Sequence, residues 1–321
     1  MAYAKKSAVT ADLNATDALS SKARSVMPAQ QTVAQLTYDT LAVDLDRSQS
    51  TFWCYMQPPG KPIVTNALLR DIMSMQASIQ ALFSGASSEP EQPFQYFVFA
   101  SRAPGIYSLG GDLDYFADRM RANDRSSIRN YAHNCVEVVY QNHHAFHVPV
   151  ITMALVQGDA LGGGFETALS FDLIVAERSA KMGLPEILFN LFPGMGAYSF
   201  LSRRLDGVRA EKMITSGRIY TAEELHEMGL VDVLAEDGQG EAAIRDYIAR
   251  NARKFNAHRS LYQTRRRVNT VTRQELMDVV DIWSDAVFGL TDADLHKMAR
   301  LTAAQNRRLG VKPPAMMIAA E

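Results

Sequence analysis

The hydrophobic pattern changes period several times along the chain, and each change marks an element. Alternation in Tyr38-Asp39-Thr40-Leu41-Ala42-Val43-Asp44-Leu45 and the aromatic run Thr51-Phe52-Trp53-Cys54-Tyr55-Met56 predict two strands joined by a polar turn. Pro58, Pro59, Gly60 and Pro62 end that sheet, and Leu68, Leu69, Ile72, Met75, Ile79 and Leu82 then recur at helical spacing over 65–83. This is a ββα opening. The stretch 84–93 reads as a loop, and Tyr96-Phe97-Val98-Phe99-Ala100, apolar without alternation, reads as a buried strand of the parallel kind. Residues 114–147 read as helical. Val150, Ile151 and Val156 form a second β-branched run that breaks at Gly158, passes through Gly162, Gly163 and Gly164, and resumes with helical spacing at Phe165, Ala168 and Leu169. Strand, glycine turn and helix are followed by a short buried strand at 171–176, a helix from Ala197, a Thr221-capped helix and a closing strand at 229–234. From about 241 to 310 the pattern is helical, with breaks near Asn256, Thr270 and Gly289, and these helices are expected to cover the active site or a neighbouring subunit. Residues 1–35 and 311–321 read as polar tails.

Composition adds limits. A chain of 321 residues with 47% hydrophobic content can bury a sizeable core and has room for two domains. No run approaches eighteen apolar residues, so no membrane insertion is expected. The N-terminus has Lys5 and Lys6 near its start but no apolar signal-peptide core. Two cysteines, Cys54 and Cys135, are too few for a disulfide framework and lack metal-ligand spacing, which fits buried thiols in a reducing cytoplasm. The net charge is −2, yet residues 245–312 hold fourteen Lys or Arg against seven Asp or Glu, densest at Arg265-Arg266-Arg267. Such a stretch suits an acidic partner, either an acyl carrier protein or the phosphates of CoA; a solvated helix face accounts for it equally. No nucleic-acid-binding module accompanies the charge. His143, His144 and His147 have no acidic or cysteine partner at ligand spacing, so a solvated or capping role is expected there, and no metal or cofactor.

The chemistry concentrates in two glycine turns and two carboxylates. Gly162-Gly163-Gly164 opens a helix, where unpaired N–H groups and the macrodipole favour negative charge. Such a turn can hold an oxyanion. Ser108-Leu109-Gly110-Gly111-Asp112-Leu113 forms a second glycine turn opening a helix, with Asp112 as its cap. Glu166 follows the first turn, and Glu186 stands twenty residues later. Two carboxylates facing one carbon pair suit acid–base work, since one can take a proton while the other gives one.

Gly158 to Glu166, Asp172, Gly183-x-Pro185-Glu186 and Pro193-Gly194-x-Gly196 resemble, in order and spacing, the signature of the crotonase (enoyl-CoA hydratase/isomerase) superfamily. Within it, residues 108–113, 154–166, 182–201 and 222–232 look most like bacterial diffusible-signal-factor synthases, quorum-sensing enzymes that make cis-2-unsaturated fatty acids. The likeness runs from about residue 40 to 310. It implies an α/β crotonase spiral of ββα repeats over 36–240 with a C-terminal helical region over 241–310, assembled as a trimer or hexamer. It also implies catalytic Glu166 and Glu186, and thioester-oxygen donors at the Gly111 and Gly163 N–H groups. Met195, Gly196, Trp283 and Leu301 match residues of the substrate site; Met195, Trp283 and Leu301 are equally readable as plain core. The first reading is dehydration of a 3-hydroxyacyl thioester on acyl carrier protein to the cis-2-enoyl thioester, followed by hydrolysis to the free acid. The alternatives are an enoyl-CoA hydratase of fatty-acid metabolism, or a regulatory partner of a sensor kinase's receiver domain. Ala197-Tyr198-Ser199-Phe200 and Ser108-Leu109 depart from the usual hydratase strings and weigh against tight use of free CoA thioesters.

Overall fold

The computed structural model describes residues 29–84 and 92–308. A short helix α1 (Ala29–Ala34) leads into the antiparallel hairpin of β1 (Leu41–Asp46) and β2 (Thr51–Met56), which pairs Val43 with Cys54, and then into α2 (Asn66–Ser84). From there each repeat sends one strand to a large sheet and the next to a small one. The first lays down β3 (Tyr96–Ser101) and β4 (Ile106–Ser108), then α3 (Leu113–Arg121) and α4 (Arg125–His143). The second lays down β5 (Ile151–Val156) and β6 (Asp159–Leu161), then α5 (Gly163–Leu169). The third lays down β7 (Leu173–Glu177) and β8 (Lys181–Gly183), then a 3-10 turn at Pro185–Phe189 and helices α6 (Ala197–Arg204) and α7 (Gly207–Ser216). β9 (Ile219–Thr221), α8 (Ala222–Glu227) and β10 (Val233–Ala235) close the spiral. Four helices trail it: α9 (Gly240–Asn251), α10 (Phe255–Val268), α11 (Arg273–Val287) and α12 (Asp292–Arg308). The large sheet runs β1-β2-β3-β5-β7-β10 and the small one β4-β6-β8-β9; apart from β1–β2 and β8–β9, all pairs are parallel.

The unbroken apolar strands follow from a sheet covered on both faces. Phe52, Cys54, Phe97, Phe99 and Ile174 point into the main core, while Trp53, Tyr96, Val98, Met153 and Val175 point the other way, against Ile244, Ile248 and Phe255 of α9 and α10. α11 packs along α4, and α12 packs on α3 and on the Pro185–Phe189 turn. The last two helices thus cover the chain's own small-sheet end. Caps stand where the residue types ask for them: Asp112 accepts from the Tyr115 N–H at 3.0 Å, and Thr221 and Glu224 form a reciprocal capping box.

The structure departs from the sequence reading in several places. Residues 29–34, expected in the polar tail, form α1, and Val33 is buried in the main core; the rest of that tail lies outside the described residues, as do 309–321. The expected long helix at 114–147 breaks at Asn123, which has a left-handed φ of 51°, and restarts under an Asp124 cap. His144 is the C-cap of α4, but His143 is mostly buried against Phe200 rather than solvated.

The arginine run differs most. Arg265 and Arg266 reach inward to the carboxylate of Asp172, which is 3% exposed and also accepts from Thr152 N at 3.1 Å. Only Arg267 is fully exposed, so the run is no open landing face for an acidic carrier. It joins α10 to the loop before β7. Asp172→Ala would leave two guanidinium groups facing a vacated buried site, and breaking such a pair costs about 3–5 kcal/mol. A chemical-denaturation midpoint that stays at the wild-type value would contradict this structural role.

Candidate active site

The spiral brings the two glycine turns together because β4 and β6 are parallel neighbours in the small sheet. A Cβ placed on Gly110 would lie 3.3 Å from the Gly163 nitrogen, and one placed on Gly163 would lie 3.8 Å from the Gly111 nitrogen. The two N–H groups therefore sit side by side. Gly163 is the first residue of α5, where no intrahelical acceptor exists. Among the described residues, no backbone carbonyl outside helices and strands accepts from either N–H.

Both glutamates line the same cavity as these glycines. Glu166 is 2% exposed, and its Oε1 accepts from the Ala197 N–H at 3.0 Å, where α6 begins. Glu186 stands in the Pro185–Phe189 turn with its Oε1 pressed against Gly162, where a Cβ would come within 2.4 Å of it. Only a glycine fits there. Its Oε2 is buried without a hydrogen-bond partner. Burial raises both carboxyl pKa values, and the nearby charge of Glu186 adds to the rise at Glu166, while the Ala197 and Met195 amides oppose it. Both carboxyls thus hold their protons to higher pH than a solvated glutamate does.

The cavity has a volume of about 280 Å³ and its wall is almost entirely apolar. Trp283 packs edge-on to Phe116 with ring centroids 5.4 Å apart, and its indole lies against Gly194, where a Cβ would come within 2.4 Å of it. Met195 and Leu301, also expected at the substrate site, stand on the same wall. Gly196 is not on that wall. Its φ of 107° turns the chain into α6, and its α carbon faces Phe200 and Leu276. Phe116, Tyr131, Cys135, Phe189 and Ile219 also line the cavity, and none was singled out from sequence as lining, because helical or short-strand apolar positions read alike whether they face a core or a cavity. Cys135 is no nucleophile there, since burial pushes its thiol pKa up. Among the described residues no group of three or more His, Cys, Asp or Glu is placed to hold a metal ion. None of the described helices is long and apolar enough to cross a membrane.

Comparison with known proteins bears on the family and the fold. The enoyl-CoA hydratase/isomerase family profile matches residues 61–300. Mouse mitochondrial methylglutaconyl-CoA hydratase is 33% identical over 182 residues, covering 56% of this chain and 54% of its own. Mouse enoyl-CoA hydratase domain-containing protein 2 is 32% identical over 191 residues, covering 59% and 60%. The chain thus spans about half the length of the curated relatives it matches. Among solved structures, an enoyl-CoA hydratase from Bacillus halodurans superposes with a TM-score of 0.64 at 19% identity, covering 82% of this chain and 99% of that one. Pseudomonas aeruginosa DspI gives 0.60 at 23%, covering 75% and 93%. These matches favour the hydratase reading over the signal-synthase reading. The chain belongs to the enoyl-CoA hydratase/isomerase family.

Proposed function

We propose that the chain interconverts a 3-hydroxyacyl thioester and its 2-enoyl thioester, adding or removing water, on an uncharged acyl chain of medium length or longer. The observation that carries this is the pair of glutamates, Glu166 buried and Glu186 part-buried, in an apolar cavity lined also by Gly111 and Gly163. The thioester oxygen sits between those two donors, which stabilise the charge that builds on it when the α-proton is shared or lost. One carboxylate takes the α-proton while the other protonates the departing hydroxyl, which leaves as water; hydration runs the same steps backwards.

The cavity wall supports the choice of acyl group. Among the described residues it carries no Lys, Arg or His, and its charged residues there are the two glutamates. A dicarboxylic acyl group such as methylglutaconyl would place its free carboxylate unpaired beside them, at a large desolvation and like-charge cost. An alkyl chain instead gains about 0.8 kcal/mol per buried methylene, so each two-carbon step is worth roughly tenfold in affinity. Measuring kcat/KM for enoyl thioesters from crotonyl to dodecenoyl should therefore show a steep rise with length. Leu301→Trp should move the preferred length downward with little loss on short chains. Comparable rates on crotonyl, methylglutaconyl and dodecenoyl substrates would contradict the assignment.

A second reading extends the first: after dehydration, hydrolysis of the cis-2-enoyl thioester to the free acid, with acyl carrier protein as the substrate's carrier. The unpartnered Oε2 of Glu186 favours it, because that oxygen is free to accept a proton from a water attacking the thioester carbon, with the tetrahedral oxyanion in the same two-donor site and the thiol as leaving group. Free cis-2-dodecenoic acid formed from 3-hydroxydodecanoyl carrier protein would support this extension; enoyl thioester that accumulates intact would reject it.

A further inference from the structure

α12 does more than cover the cavity. Its first turn carries Asp294, 6% exposed, whose Oδ2 accepts from the Thr291 N–H at 3.1 Å, the Thr291 hydroxyl at 2.8 Å and the Asn190 side-chain amide at 3.2 Å. Asn190 ends the turn that bears Glu186. It adopts a left-handed conformation, φ 62° and ψ 34°, donates its N–H to Ile187 O at 3.1 Å, and is followed by Leu191, whose N–H reaches Glu186 O at 3.1 Å. Asn takes that conformation readily at the end of a helical turn, which leaves its side chain free to reach Asp294. Two turns further along, α12 lays Leu301, Ala304 and Gln305 on the cavity wall.

From this we propose that Asp294 is a positioning residue for Glu186: through Asn190 it ties the seat of the C-terminal helix over the acyl cavity to the placement of that carboxylate. The proposal rests on the catalytic role assigned to Glu186 above. One carboxylate both opens α12 and grips the residue that ends the Glu186 turn, so the helix cannot lift from the cavity without releasing that turn. A seated α12 also keeps water from the glutamates. Releasing it wets them, and since burial is what raises their pKa values, both values fall and the activity profile moves to lower pH.

The test compares kcat and its pH dependence on dodecenoyl thioester for Asn190→Gly, Asp294→Ala, Asp294→Asn and the double variant Asn190→Gly/Asp294→Ala. Glycine adopts the left-handed conformation freely, so Asn190→Gly removes only the latch. Both latch-breaking single variants should lose about tenfold in kcat, the worth of one charge-assisted hydrogen bond, with the optimum shifted to lower pH. Asp294→Asn should stay near wild type, because its amide oxygen can take the place of Oδ2 and accept from the same three donors. The double variant should be no slower than Asp294→Ala. Asn190→Gly with wild-type kcat, a lowered kcat at an unmoved pH optimum, or losses that multiply in the double variant would each overturn the latch. Near-full activity of Glu186→Gln would instead remove the catalytic role beneath it, so the two failures are distinguishable.

Discussion

Glu166→Gln and Glu186→Gln should each fold and each lose about 10²–10⁴-fold in kcat, the usual worth of a general acid or base. Glutamine keeps the shape and size of the side chain, so the loss reports the proton. Stability should move the other way. Both folded-state pKa values lie above the ordinary carboxyl value of 4.5. Between the ordinary and the raised value the folded chain therefore holds more protons than the unfolded chain, and stability falls as pH rises through that window. At neutral pH the two acids thus cost stability, and each Gln variant should lose part of that slope and unfold at a denaturant concentration equal to or above that of wild type. Urea midpoints measured across pH 4 to 8, roughly the window set by these shifts, check the sign. A Gln variant that is both inactive and clearly less stable at neutral pH would point to a structural carboxylate instead.

Gly163→Pro should cost about 10²–10³ in kcat/KM, the usual penalty for deleting one oxyanion donor. A backbone N–H cannot be removed by an ordinary side-chain change, but position 163 is the first residue of α5, where proline is tolerated and its fixed φ suits the helix. Gly163→Ala is the matched control. It keeps the N–H and adds a Cβ whose nearest neighbour, at 2.8 Å, is the flexible end of Met195. Proline meets the same Met195 contact, so the gap between the two variants reports the replacement of the N–H by a ring methylene at the thioester-oxygen position. Equal activity in the two, with α5 intact by circular dichroism, would take Gly163 out of the mechanism.

How much of this was legible in the sequence depended on the range of the signal. The glycine turns, Asp112, the Thr221 cap and β2, β3 and β5 are local: one turn or one apolar run carries each, and each lies where the sequence placed it. Glu166 and Glu186 were legible by spacing, and the structure brings both to one cavity. The arginine run was misread because charge on a helix looks the same in sequence whether it faces solvent or a buried carboxylate ninety-odd residues away; only the fold carries Asp172 to Arg265 and Arg266. The strands of the small sheet have three residues each, too few to display a period, so the sheet that aligns the two oxyanion turns was invisible as a sheet. Asn190 gave no sign either, since its left-handed backbone and its tie to α12 are properties of the folded chain.

In the proposed function, Glu166 and Glu186 move water across a thioester-activated carbon pair. Its most direct test follows purified wild-type protein with 3-hydroxydodecanoyl thioester, resolving 3-hydroxyacyl and 2-enoyl species over time by mass, beside the two Gln variants. The wild type should bring the two species to a steady ratio from either side, and each variant should be slower by at least about 10². Absence of any interconversion by the folded wild type on chains from crotonyl to dodecenoyl, or interconversion that survives in the variants, would contradict it.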